Sequence, residues 1–106
     1  MEIKEMFLDD ALEYAKEKKS RLVWVGNEPV DYINEILGLA PGTMMQMQAY
    51  SIMAMNKEDA KAYKDCIFVC YHGNSSRYIA EMLKEKYDIE SGSLRGGVTA
   101  IVGEIF

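Results

Sequence analysis

Two rhythms of apolar and polar positions divide the chain into strands and helices. Residues 21–25 (RLVWV) and 66–70 (CIFVC) are short continuous apolar runs, the pattern of strands buried on both faces. Around them apolar residues recur at helical spacing. Residues 9–18 form a helix that sets Leu8, Ala11, Leu12 and Ala15 on one face, with Asp9 or Asp10 as N-cap. In EPVDYINEILG, Pro29 fits a first helical turn, Val30, Ile33, Ile36 and Leu37 form the stripe, and Gly38 ends it. Residues 75–86 read as the clearest helix, with Ile79, Met82, Leu83 and Tyr87 on one side. Shorter signals fill the gaps. EIKEM is a weak opening strand, APGT a turn and MMQMQ a short strand; Asn56 caps a helix over KEDAKAYK. IESGSL is extended, RGG is a break, and VTAIVGEIF is a short helix or coil. This alternation predicts one α/β domain over residues 1–106, with a mainly parallel sheet flanked by helices on both faces. Ligands of such sheets bind beyond the carboxyl ends of the strands. Cys70 stands at one of those ends.

Composition narrows the classes. The 106 residues fit a single domain able to bury a core, and a hydrophobic fraction of 49% suits an ordinary soluble protein. A net charge of -5, with no basic stripe, argues against nucleic acid as partner. The acidic start MEIKEMFLDD lacks the apolar centre of a secretory signal, and no run has the length of a membrane span. The expectation is a cytoplasmic, reduced protein. Its two cysteines, Cys66 and Cys70, sit about 13 Å apart on an extended strand at ~3.3 Å per residue, too far for a disulfide. With His72 as the one histidine, no zinc-ligand set is expected.

The segment VCYHGNSS carries the candidate chemistry. A strand delivers Cys70 to the sheet edge, and a helix follows after six residues. Gly73 allows a positive φ, and Asn74, Ser75 and Ser76 suit tight turns and helix caps. A loop curled this way points backbone N–H groups inward as an anion nest, and the helix N-terminus adds its dipole. Both favour negative charge on the sulfur. The competing reading is an inert buried cysteine ending a strand. The glycine-bearing loop and the immediate helix start favour an anion-binding, reactive Cys70.

CYHGNSS (70–76) also closely resembles the active-site loop of the rhodanese family, in particular its single-domain bacterial thiosulfate sulfurtransferases. Downstream, IAEMLKEKYDIESGSLRGG is similar to the family's helix, strand and Gly-Gly turn, where an acidic residue often stands in the place of Arg95. The resemblance spans residues 66–101, about a third of the chain. Upstream the pattern departs. Trp24, Val25 and Gly26 correspond to the family's Asp-Val-Arg, GLAPGT (38–43) to its Gly-His-Ile-Pro-Gly-Ala with Leu39 for the His, and Ile101 to an aromatic. These exchanges look like a polar support replaced by apolar packing.

The resemblance implies a rhodanese-like α/β fold and a two-step reaction. The Cys70 thiolate takes a sulfane sulfur from an anion such as thiosulfate, and the persulfide passes it to a thiol or protein acceptor, with no cofactor. The amides of Tyr71, His72, Gly73, Asn74, Ser75 and Ser76 would cradle the persulfide. Tyr71 and Ser75 occupy places where many rhodaneses carry Arg, leaving Arg77 and Arg95 as the candidate cations. His72 reads as a loop residue whose amide matters more than its ring. Asn74 and the two serines read first as braces of the turn. Cys66 reads as a core thiol.

Three further readings are open. The Met-rich stretch 44–55 reads as flexible core packing ahead of a Cu(I) site, with an apolar lip over the pocket as a third possibility. A phosphatase or arsenate reductase would need Cys, five residues, then Arg; here Ser76 fills that place and Arg77 comes one residue late. A non-catalytic rhodanese-like binding module is the other alternative, and retention of Cys70 weighs against it.

Overall fold

A computed structural model describes residues 3–47 and 51–103. Its elements are β1 (Lys4–Met6), α1 (Leu8–Lys18), β2 (Leu22–Val25), α2 (Val30–Ile36), β3 (Met44–Met47), α3 (Ser51–Ala54), α4 (Lys57–Lys61), β4 (Ile67–Val69), α5 (Asn74–Tyr87), β5 (Gly92–Leu94) and α6 (Thr99–Val102). The strands form one five-stranded sheet in the order β1-β5-β4-β2-β3, every neighbouring pair parallel. The expected α/β architecture is therefore present. At this coarse level it is also the architecture that the rhodanese resemblance implies.

Period-two alternation sends side chains of the central strands into two cores. Leu22, Trp24, Ile67, Val69 and Leu94 pack with Ala11 and Ala15 of α1 and Ile33 of α2. Val23, Val25 and Phe68 pack on the other face with Ala60 of α4 and Ile79, Ala80 and Leu83 of α5. Residues on both faces of β2 and β4 are buried, which explains why those strands read as unbroken apolar runs. Each large side chain so buried contributes roughly 1.5–3 kcal/mol of transfer free energy.

The helices that follow β2 and β4 leave toward opposite faces: α2 joins the first core and α5 the second. A crevice opens where two adjacent parallel strands diverge in this way, at their carboxyl ends. The site lies in that crevice.

Several local expectations are corrected. Helix α1 starts at Leu8 with Phe7 as N-cap, because Ala11 N already donates to Phe7 O at 2.8 Å. Asp9 and Asp10 therefore lie in the first turn, where their charge still suits the helix dipole. Pro29 is the N-cap of α2 and not a member of its first turn. Helix α5 begins at Asn74 with Gly73 as N-cap at φ 91°, so Asn74, Ser75 and Ser76 are first-turn residues, not caps. Asn56 does cap α4 in a reciprocal capping box with Asp59, though the helix stops at Lys61. The short α3 was not foreseen.

Lys19 ends α1 in the left-handed region at φ 55°, with Ser20 N closing onto Ala15 O at 2.8 Å. A side chain there costs energy that glycine avoids. Lys19→Gly is expected to stabilise the fold by about 1 kcal/mol, a rise of roughly 4–8 °C in a thermal melt.

Candidate active site

Cys70 follows β4 directly and is 3% exposed. Its Sγ receives the backbone N–H of Gly73 at 3.1 Å and of Ser76 at 3.3 Å. The Ser76 hydroxyl lies 3.3 Å from the same sulfur. Of the six amides expected to form the cradle, those of Gly73 and Ser76 reach the sulfur. Being at the start of α5, they are among the N–H groups that have no partner within the helix.

The loop's carbonyls are drawn the other way. Val98 N donates to Cys70 O and Thr99 N to Tyr71 O, each at 3.0 Å. The Thr99 hydroxyl adds a second bond to Tyr71 O at 3.0 Å, and His72 Nδ1 lies 3.1 Å from that hydroxyl. This seam runs against Gly97, at φ 68°, where a Cβ would meet Tyr71 O at 2.5 Å and Cys70 O at 2.6 Å. The RGG break thus lets the segment after β5 lie flat against the cysteine loop.

Tyr71 crosses to the opposite wall. Its hydroxyl accepts from Asn27 N and Glu28 N, both at 3.2 Å. Its ring meets Trp24 edge-on, centroids 4.9 Å apart. Trp24 is fully buried and donates Nε1–H to Glu28 O at 2.8 Å. Gln46 braces the same turn, accepting from Val30 N at 3.3 Å and donating to Glu28 O at 3.1 Å. A Cβ on Gly26 would stand 2.5 Å from the Trp24 ring, so the indole occupies the space where a longer residue 26 would begin. The β2 end is thus held by aromatic packing and amide bonds. Leu39 packs against the core on the Trp24 face.

Val25, Gly26, Asn27, Cys70, Tyr71, His72, Asn74 and Ser75 line a cavity of about 270 Å³. Of the residues singled out from sequence, the structure brings Cys70, Tyr71, His72, Asn74 and Ser75 to this cavity and sets the Gly73 amide and Ser76 on the sulfur. It places Arg77 and Arg95 elsewhere. Both line a separate cleft with Lys4, Glu5 and Glu81. Arg77 Nε lies 3.8 Å from Glu81 Oε1, and the Arg95 guanidinium sits over the Phe7 ring at 5.7 Å.

Cys66 is a buried, free thiol, and burial pushes its pKa up, which disfavours the thiolate. Met44, Met47 and Met55 are core residues, and among the described residues no methionine lines the Cys70 cavity. Residues 48–50 of the Met-rich stretch lie outside the described residues. Among the described residues, no group of three His, Cys, Asp or Glu side chains could hold a metal ion, and no helix is long and apolar enough to cross a membrane.

Four contributors escaped the sequence reading: Ser93, Gln46, Val98 and Thr99. Ser93 lies on buried strand β5 with its hydroxyl 2.6 Å from that of Ser76. The available signal was a serine inside the extended segment IESGSL, close to the Gly-Gly break. Comparison with protein-family models, curated proteins and solved structures returned no match.

Proposed function

We propose that the chain is a rhodanese-type sulfurtransferase. It moves a sulfane sulfur from a small anionic donor such as thiosulfate to a thiol or protein acceptor, through a persulfide on Cys70, in the reducing cytoplasm. One observation carries the reading: a cysteine sulfur at the end of a central parallel strand, held by two amides and a hydroxyl at the wall of a small cavity.

The rhodanese resemblance implies the chemistry, and that geometry supports it. The Cys70 thiolate attacks the outer sulfur of thiosulfate, the donor's S–S bond breaks, and sulfite leaves with the bonding electron pair. The amides at the α5 N-terminus hold the negative sulfur before attack and after transfer. A nucleophilic acceptor then attacks the outer persulfide sulfur, and Cys70 returns as the thiolate. Tyr71, His72, Asn74 and Ser75 line the space a donor would occupy. With Arg77 and Arg95 in another cleft, anion binding rests on amides and the helix dipole, so donor binding should be weak and adaptable.

Intact-protein mass spectrometry tests the reading. Incubation with thiosulfate, without reductant, should add one sulfur atom on Cys70, and cyanide should remove it. An unchanged mass with thiosulfate, mercaptopyruvate and a protein persulfide alike would overturn it and favour a non-catalytic binding module. Hydrolysis of a phosphate ester would favour the phosphatase alternative, against which the serine at position 76 weighs.

A further inference from the structure

The sulfur's hydroxyl partner has a partner of its own. Ser93 pairs in register with Phe68, whose side chain lies in the core beneath α5. Ser93 and Ser76 are both 0% exposed, and their hydroxyl oxygens are 2.6 Å apart. Ser76 Oγ thus stands between Cys70 Sγ at 3.3 Å and Ser93 Oγ at 2.6 Å. Among the described residues, the Ser93 hydroxyl has Ser76 as its side-chain partner.

Counting hydrogens gives this chain a direction. Each hydroxyl has one hydrogen to donate. If a protonated sulfur donates to Ser76, then Ser76 donates to Ser93, and the Ser93 hydrogen has no acceptor among the described residues. A buried donor without an acceptor is costly. If the sulfur is anionic, Ser93 donates to Ser76, Ser76 donates to the sulfur, and both hydrogens are used. The two amides already donate to the sulfur in either case.

We propose that Ser93 is a positioning residue for Cys70: by donating to Ser76 Oγ, it polarises that hydroxyl and strengthens its donation to the sulfur when the sulfur is anionic. The same orientation serves a persulfide, and in that respect the inference rests on the sulfurtransferase reading. Ser93 touches neither substrate nor sulfur; it acts through Ser76.

The test is the pH profile of Cys70 alkylation by iodoacetamide in a Cys66→Ala chain. Ser93→Ala should slow alkylation at pH 7 by about threefold and move the profile to higher pH, the size expected when one neutral hydrogen bond that polarises the sulfur's partner is lost. Ser93→Thr should restore most of the rate. Ser76→Ala should lose at least as much, and adding Ser93→Ala to it should cost nothing further. An unchanged profile in folded Ser93→Ala, or a full second loss in the Ser76→Ala background, would overturn the proposal. If Ser93→Ala does not fold, the comparison passes to Ser93→Val against Ser93→Thr, side chains of one shape differing in the hydroxyl. Alkylation needs no sulfur donor, so failure here is distinct from failure to form a persulfide.

Discussion

Cys70→Ser is expected to abolish persulfide formation and sulfur transfer while leaving the melting temperature within a few degrees of the parent. A serine oxygen can take the place of Sγ opposite the Gly73 and Ser76 amides, so the loop keeps its bonds. A hydroxyl, however, is a far weaker nucleophile at neutral pH than a thiolate and cannot carry a sulfane sulfur. Cys66→Ser should keep transfer near the parental rate. That thiol is buried between the sheet and the Ala62 carbonyl, 4.0 Å from Sγ, and outside the cavity. Equal loss in both variants would sink the single-cysteine mechanism. The measurement is mass gain and cyanide discharge, with a circular-dichroism melt on each variant.

Trp24→Ala should have the largest effect on stability. The indole is fully buried, fills the space beside Gly26, meets the Tyr71 ring and bonds Glu28 O. Removing a side chain of this kind costs about 3–5 kcal/mol, against a total of roughly 5–15 kcal/mol for a domain. The melt should fall by more than about 10 °C. Trp24→Phe keeps an aromatic edge for Tyr71 but loses the bond to Glu28 O, and should cost about 1–2 kcal/mol. The folded Trp24→Phe protein should also transfer sulfur more slowly, because the Gly26–Glu28 wall loses one of its ties. A melt unchanged in Trp24→Ala would show that the cavity wall does not depend on the indole.

What was legible in the sequence follows from range. The β2 and β4 runs are apolar because both faces of those strands are covered, and continuous apolar runs need no partner to be recognised. Helix α5 announces itself through Ile79 and Leu83 facing the sheet. The loop around Cys70 was readable because its parts are adjacent: strand end, Gly73, helix start. Its supports were not. The Ser76–Ser93 contact spans 17 positions, the Thr99–Tyr71 bond 28 and the Tyr71–Asn27 bond 44. No local pattern encodes such pairings. The phase of α5 decided Arg77: one position beyond buried Ser76, it points to solvent beside Glu81. The caps at Phe7 and Gly73 were missed because neither uses a side-chain hydrogen bond.

The seam between the cysteine loop and the segment after Gly97 has a consequence for the protein while it is being made. The partners of the Cys70 and Tyr71 carbonyls, Val98 N and Thr99 N, come as many as 29 positions after the cysteine, and Ser93 comes 23 after it. Synthesis proceeds at about 5–20 residues per second, so the thiol waits roughly 1.5–6 s for residue 99 to be added. Strand β5, which must slot between β1 and β4, also arrives in that interval. A chain not yet extended to Thr99 therefore holds the Cys70 sulfur without the finished seam behind its loop. The last supports of the cysteine loop are added only after strand β5 has been made.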